Sequence, residues 1–346
     1  MPLSLSCPAP MPYRSKAAIR PVFLPGFGCP TQCIYCDQQR QTGASVRSLH
    51  DQYSWLARDL AQAFTSGGRP FELAFFGGSF TALPRSWQMK FLDLAAYYKN
   101  RGLITSVRCS TRPDCCSWPD LADLAGRGLD IVELGAQSFC SQVLQISNRG
   151  YGPEAIHAAS IGVRQAQMGL GIQLLPGLPR HDLKEWLLDV RLTCDLRPDF
   201  VRIYPCLVLE GTPLHRMYRQ GRFKPWSLVQ TVQALSRGYL RLWSAGIPIV
   251  RLGLHPEPAL MQAIMAGPWH PALGSMVRGR VIFALIRALC LHIPPGPKTL
   301  SCPQPLQGDL WGYQGSSRQR LHFLGLSAQR ITYHQGSRIE IRSLDD

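Results

Sequence analysis

Short apolar runs alternate with longer amphipathic stretches over the first 245 or so residues. The runs PVFL at 21–24, ELAFF at 72–76, ITSVRCS at 104–110, DIVELG at 130–135, GIQLLP at 171–176 and VRIYPCLVL at 201–209 are short and rich in β-branched or aromatic residues. That combination predicts strands. Between them apolar residues return every three or four positions, as in Tyr53, Leu56, Leu60 and Phe64, or Leu228, Val232, Leu235, Tyr239, Leu242 and Trp243. Such spacing lays one apolar stripe along a helix. Strand followed by helix, repeated, predicts a parallel sheet built from right-handed crossovers. Six such units are fewer than a closed eight-stranded barrel requires, so the expected class is α/β, a partial (β/α)6 barrel of TIM type. A doubly wound open sheet is the alternative. In both, ligands bind beyond the C-terminal ends of the strands.

Beyond residue 245 the pattern weakens, interrupted by the proline-rich GLHPEPAL and HIPPGPKTLSCPQP segments. A helical run near 277–292 and the strand-like end RITYHQGSRIEIRS predict a small appendage, with 293–318 as a linker or long loop. The expected organisation is an N-terminal extension at 1–19, a core domain at 20–246 and a small C-terminal extension at 247–346. No internal repeat is seen. The N-terminal MPLSLSCPAPMPYRSK lacks the apolar stretch of a secretory signal, and the apolar VIFALIRALCLHIPP is interrupted by Arg287. The expectation is therefore a cytoplasmic protein without a membrane span.

The formal charge is +15, which favours a polyanionic partner such as nucleic acid, or an acidic substrate. It is spread over the chain rather than gathered in one basic block. Most of the 12 cysteines stand singly in apolar surroundings and read as buried small hydrophobes in a reducing compartment. The exception is Gly28-Cys29-Pro30-Thr31-Gln32-Cys33-Ile34-Tyr35-Cys36-Asp37. A structural zinc site normally takes four Cys or His ligands, and the next candidate here is the distant His50. The four-cysteine loops of ferredoxins do not match either. Cys29, Cys33 and Cys36 instead suggest a 4Fe-4S cluster with one iron left for an exogenous ligand. An incomplete zinc knuckle and a chance grouping of buried cysteines are the alternatives at this stage.

The Cys-x3-Cys-x2-Cys spacing, with Tyr35 before the last cysteine, resembles the radical SAM superfamily. In that superfamily S-adenosylmethionine chelates the open iron and is cleaved reductively to a 5′-deoxyadenosyl radical. The combination of GFGCPTQCIYCDQ, FFGGSFTAL, STRPD at 110–114, ELGAQS at 133–138, LPGLP and RIYPCLVLEGTPL resembles the radical SAM region of the Elongator catalytic subunit and its stand-alone bacterial relatives. The likeness runs over about residues 20–270. A more distant likeness is to the oxygen-independent coproporphyrinogen III oxidases, in GAQSF followed by Asn148-Arg149.

The resemblance implies roles for individual residues. Cys29, Cys33 and Cys36 carry the cluster. Gly77, Gly78 and Ser79 form the glycine-rich turn that meets the methionine amino group. Gln137 contacts the ribose, Arg149 the carboxylate, and Gln173 stands where the oxidases place an acidic ribose ligand. Tyr35 and Ser110 lie near the cofactor, and Arg112 faces substrate. Arg202, Tyr204 and Cys206 alternate on the sixth expected strand and so share a face, which either lines the barrel interior, making Arg202 and Tyr204 substrate contacts, or packs against helices; Cys206 is either a hydrogen-atom donor or a core residue. Cys109, Cys115 and Cys116 lack a fourth partner for an auxiliary cluster. His255, Glu257 and His270 belong to a lid or an acid/base group, or are surface loop residues. The Elongator likeness implies modification of the tRNA wobble uridine. The tail beyond the match is too short for the acetyltransferase domain and lacks its acyl-CoA loop, so only the radical half of that chemistry is expected. A small anionic metabolite such as a porphyrinogen is the second substrate class, and a non-enzymatic iron–sulfur or zinc-binding module the third reading. An electron donor such as flavodoxin or ferredoxin is the implied partner; the oligomeric state is left open.

Overall fold

Residues 3–13, 17–43 and 48–344 are described by a computed structural model. Residues 1, 2 and 14–16 of the expected N-terminal extension lie outside the described residues. Strand β1 (Ser4–Pro8) belongs to a separate sheet. The six expected strands form as β2 (Ala18–Phe23), β3 (Phe71–Phe76), β4 (Ile104–Thr111), β5 (Ile131–Gln137), β6 (Gly169–Leu174) and β7 (Phe200–Ile203). Amphipathic helices connect them. Leu49–Thr65 buries Leu56 and Leu60 and starts where Ser48 Oγ accepts from the Asp51 N–H at 3.1 Å. Leu183–Leu196 starts in the same way at Asp182.

The last expected strand is shorter than its apolar run. Pro205 has no N–H to offer a ladder, and the flanking donors turn to β6 and the loop after it. Tyr204 N donates to Leu174 O at 3.0 Å and Cys206 N to Pro176 O at 2.8 Å. The rest of the run becomes β8 (Val208–Leu209), which pairs antiparallel with β10 (Ile264–Ala266). Between these lies β9 (Ile249–Leu252), a strand the sequence pattern does not show, since all four of its residues are half-buried. It pairs parallel with β7. The sheet therefore has seven strands rather than six, in the order β2-β3-β4-β5-β6-β7-β9, all parallel.

Contacts between distant strands show that this sheet is curled into a half-barrel. The Arg202 guanidinium on β7 lies 4.9 Å from the ring centroid of Phe76 on β3, and that of Arg108 on β4 lies 4.7 Å from the ring of Phe200 on β7. The opposite face, with Phe75, Cys109, Leu134, Ile172, Val201 and Ile203, is buried throughout. Fully burying an aliphatic or aromatic side chain of this size contributes about 1.5–3 kcal/mol, so this face is the main source of stability of the sheet.

The described residues divide into two compact units. One holds those within Ser15–Ser227 and Ile247–Trp269, which include the half-barrel; the other holds those within Met1–Arg14, Leu228–Gly246 and His270–Asp346. The second unit has its own sheet, order β1-β13-β11-β12, with β11 (Lys298–Pro303), β12 (Ile331–His334) and β13 (Arg338–Ser343). Its core includes Ile282, Ile286, Leu300, Cys302, Ile339 and Ile341. The segment expected as a linker at 293–318 thus contains an interior strand, β11, paired on both sides. Its flanking prolines hide it in the sequence. The expected blocks 1–19, 20–246 and 247–346 run in chain order, whereas the units do not, because β1 pairs antiparallel with β13. Among the described residues no helix is long and apolar enough to cross a membrane.

Candidate functional site

The cysteine loop leaves the C-terminal end of β2 and is tied at once to the turn after β3. Leu24 N donates to Phe76 O at 2.7 Å and Ser79 N to Phe27 O at 2.8 Å. One side-chain oxygen, Gln38 Oε1, accepts from both Gly26 N (2.6 Å) and Gly78 N (2.8 Å). Gly78 sits at φ +61°, and a Cβ there would lie 2.7 Å from Leu24 O and meet Phe27 O as well. Only glycine allows this approach. Cys29 Sγ comes within 3.5 Å of Ser79 Oγ. Farther along, Ile34 N donates to Ser147 O (3.3 Å), Asn148 Nδ2 to Gln32 O (2.8 Å) and Leu214 N to Ile34 O (2.9 Å). The loop is held on three sides before any ligand arrives.

The thiols occupy a partly desolvated place. Cys33 is buried, and Cys29 and Cys36 are half-buried. Burial, followed by the charges of Cys33 and Cys29, pushes the Cys36 thiol up to about 12, so the three sulfurs act on one another electrostatically. Arg149 supplies the compensating cation. It is only 4% exposed, yet its Nη1 lies 3.0 Å from Cys33 Sγ and 3.3 Å from Tyr35 Oη. Its Nη2 donates to Gly135 O at 2.6 Å and to Tyr151 Oη at 2.6 Å. Burial disfavours the charged guanidinium, but Tyr35, Tyr151 and Cys33 more than reverse this and raise it well above the usual range. Among the described residues no three Cys, His, Asp or Glu side chains are grouped tightly enough to hold a single metal ion. Three thiols with a buried cation beside them nevertheless suit the donor set and charge of an anionic iron–sulfur cluster.

The strand ends bring several expected residues to the same place. Gln137 ends β5 and is buried at φ +68°, a left-handed conformation that costs a non-glycine residue about 1–2 kcal/mol. Gln173 Nε2 donates to its Oε1 at 3.3 Å, and Gln137 O accepts from Leu175 N at 2.8 Å. A Cβ added at Gly135 would stand 2.9 Å from Gln137 Nε2 and 3.6 Å from Arg149 Nη2, so only glycine leaves room for both side chains. Gly77 joins Gly78 and Ser79 beside the cysteine loop, at φ +76° and close to Gln38 Oε1 and Leu24. Ser110 stands on β4 opposite Glu133 of β5.

Other expected residues take different places. Arg112 is buried and fully engaged: it forms a two-pronged pair with Asp114 (2.9 and 2.7 Å), donates to Thr31 Oγ1 at 2.7 Å and also to Arg149 O. It braces the cysteine loop. Cys206 does not share a strand face with Arg202 and Tyr204, because the strand ends before it. It packs with Ile34, Tyr35, Leu175 and Leu178 under the loop, where burial alone pushes its thiol up to about 12. Arg202 and Tyr204 do meet, with Nη1 donating to Oη at 3.2 Å.

Arg202 belongs to an ionic network in the lumen that the site prediction missed. Its Nε lies 2.9 Å from Glu133 Oε2. Glu133 Oε1 lies 2.8 Å from Arg108 Nη1, and Arg108 Nη2 lies 2.5 Å from Glu72 Oε1. The sequence signal was present: Glu72, Arg108, Glu133 and Arg202 are each the sole charged residue of their strands. A charge on an otherwise apolar strand needs a partner. Tyr151 was missed too; nothing in SNRGYG marks a buried phenol that accepts from Arg149 and donates to Gly135 O at 2.8 Å.

Comparison with known proteins agrees with this geometry. The chain is 30% identical over 185 residues to the tRNA uridine(34) acetyltransferase of Methanocaldococcus infernus, covering 48% of this chain and 35% of the relative. This chain thus spans about a third of that protein. Among solved structures it is similar to the archaeal Methanocaldococcus infernus Elp3 with an N-terminal deletion (TM-score 0.59, 22% identity, 79% of this chain and 65% of that one). It is also similar to the coproporphyrinogen III oxidase of Escherichia coli (TM-score 0.51, 20% identity, 66% and 53%). At these identities the two structures show the shared fold. Residues 23–190 match the Radical SAM superfamily and residues 198–282 the Radical_SAM C-terminal domain. With its three-cysteine loop seated on the rim of a parallel half-barrel, the chain belongs to the radical SAM superfamily.

Proposed function

We propose that the protein is a radical SAM enzyme that holds a 4Fe-4S cluster on Cys29, Cys33 and Cys36 and acts on tRNA. The observation that carries this reading is the tie between the cysteine loop and the Gly77–Ser79 turn through Gln38, with Arg149 buried against Cys33. The family implies the cluster and S-adenosylmethionine; bound together they supply a carbon-centred radical by reductive cleavage. The chain's own residues bind and orient. Gln38 sets the distance between thiols and turn. Arg149 offsets thiolate charge and offers a guanidinium for the cosubstrate carboxylate, while Gln137 and Gln173 present amides to its ribose. Tyr35 and Ser110 complete the contacts.

A tRNA substrate is supported by the +15 charge and by the relative whose name specifies tRNA uridine(34). A polycarboxylate such as a porphyrinogen is less well served, because Arg108 and Arg202 are already paired with Glu72 and Glu133 in the lumen. An acidic electron carrier, flavodoxin or ferredoxin, and a cytoplasmic site of action complete the proposal. The test is anaerobic reconstitution with iron and sulfide, then reduction with S-adenosylmethionine in the presence and absence of tRNA. The expected result is a 4Fe-4S spectrum and 5′-deoxyadenosine release that rises with tRNA and disappears in Cys29→Ala, Cys33→Ala or Cys36→Ala variants. A wild-type protein that retains one zinc and releases no 5′-deoxyadenosine would sink the reading.

A further inference from the structure

Beside the LPGLP turn lies a cavity of about 740 Å³, lined in part by Leu178, Arg180, Glu185, Arg222, Lys224 and Trp226. That volume lies within the ~300–1,000 Å³ of small-ligand sites. We propose that it is a nucleotide-binding site, taking a base on Trp226 and a phosphate among Arg180, Arg222 and Lys224. The inference is drawn from this cavity alone and does not rest on the radical reading.

The indole is preorganised. Gly177 lies beneath it at φ +87°, and a Cβ there would stand 3.3 Å from the ring, so glycine lets the ring sit against the backbone. Trp226 Nε1 donates to His181 O at 3.1 Å, which fixes the ring's orientation. Behind this wall His181 is locked as well: Gly177 N donates to its Nδ1 at 3.3 Å, and its Nε2 lies 3.1 Å from Asp189 Oδ2, with both side chains fully buried. Asp189 Oδ1 in turn accepts from Phe139 N at 2.7 Å. The half-buried face of Trp226 is thus a fixed aromatic plate on the cavity wall. Such a plate offers a base a face to stack on.

The polar groups complete the ligand's chemistry. Arg180, Arg222 and Lys224 are exposed and, among the described residues, have no ion-pair partner. Of the two acids that also line the cavity, Asp182 is turned to its helix, accepting from Lys184 N at 2.6 Å and Glu185 N at 3.2 Å. The Glu185 carboxylate lies against that of Asp182 and turns inward, away from the three cations. A plain phosphate has no use for the indole, and an uncharged aromatic has none for three free cations; a nucleoside phosphate uses both. Leu178 and Phe223 line this cavity and also pack with Cys33, Ile34 and Tyr35, so a nucleotide seated here abuts the back of the cysteine loop.

The nucleotide belongs either to an RNA chain or to the free pool, and the test separates the two. Uridine and guanosine 5′-monophosphates, uridine, inorganic phosphate and a short RNA hairpin are titrated into full-length reconstituted protein by calorimetry. The expected result is saturable one-to-one binding of the mononucleotides, at least tenfold tighter than uridine or phosphate. The exposed double substitution Arg222→Glu/Lys224→Glu, which disturbs no packing, weakens it at least tenfold, and Trp226→Phe weakens it several-fold. Competition between hairpin and mononucleotide assigns the site to RNA; binding without competition assigns it to a free nucleotide. The proposal is overturned if mononucleotides do not saturate, if S-adenosylmethionine displaces them, if phosphate binds as tightly, or if the double variant binds as wild type does.

Discussion

At Gly78, the left-handed backbone and the nearby carbonyl oxygens of Leu24 and Phe27 leave no room for a side chain. Gly78→Ala is therefore expected to lower stability by about 1–2 kcal/mol from conformation alone, and more from the clash. It should also reduce cluster content, because the turn and the cysteine loop share Gln38; thermal melting and iron quantification check both effects. Arg149 is the other sensitive residue. Its Gln variant removes a buried cation 3.0 Å from Cys33 Sγ, and a reduced cluster carries one more negative charge than an oxidised one. The expected outcome in Arg149→Gln is a cluster that is harder to reduce, with a more negative midpoint in spectroelectrochemical titration. An unchanged midpoint would show that the guanidinium serves only to tie Gly135 and Tyr151 together. Cys302 offers a control far from this chemistry in sequence and sheet. It is fully buried, and burial pushes its thiol from the usual 9.0 up to about 12. A raised acid contributes stability that is complete below pH 9 and lost as pH rises toward 12, with a slope of up to about 1.4 kcal/mol per pH unit. Urea midpoints measured from neutral to alkaline pH should fall less steeply in Cys302→Ala than in wild type.

At the scale of strands and their connections, the lumen network sets the cost of change. Glu133 sits between Arg108 and Arg202, so Glu133→Gln leaves two buried guanidiniums with half their compensation. Removing one partner from such a network costs about 3–5 kcal/mol. Denaturant unfolding of Glu133→Gln, Arg202→Met and the double variant should show strong non-additivity, the double variant being less damaged than the sum of the singles. Strict additivity would mean that water, not Arg202, balances Glu133. The same elements show where periodicity misleads. VRIYPCLVL is apolar throughout and looks like one strand, yet Pro205 breaks it and sends Cys206 under the cysteine loop. β9 was invisible for the opposite reason: four half-buried residues carry no alternation, and the strand exists because β7 presents an unfilled edge. Arg112 looked like a substrate contact in STRPD, but its side chain closes a bracket among Asp114, Thr31 and Arg149 that join only after folding.

On the scale of the whole molecule, the diffuse +15 charge makes a specific claim about binding. If RNA is the partner, the logarithm of the association constant should fall linearly with the logarithm of salt concentration, by about 0.7–0.9 per phosphate contact. A flat dependence would move the charge from function to background. The Arg222→Glu/Lys224→Glu variant should lose part of that slope if the cavity beside the LPGLP turn carries RNA. The division into two units matters here as well. The C-terminal sheet closes with β1 from the opposite end of the chain, so removing residues 3–8 exposes the edge of β13. That truncation should lower the melting temperature and increase aggregation, since an unpaired edge strand recruits other edges.

The sequence by itself determined the cysteine spacing, the alternation of strand and helix and the glycine turn, and with them the superfamily and the rim on which the chemistry sits. These are local properties, set by periodicity and by short-range spacing along the chain. Tertiary structure alone decided that Arg149 lies against Cys33, that Glu133 bridges two arginines, that β9 and β11 are strands and that a cavity opens beside the LPGLP turn. Each of these depends on residues far apart in sequence meeting in space, where the energy of burial and pairing, rather than local pattern, selects the arrangement.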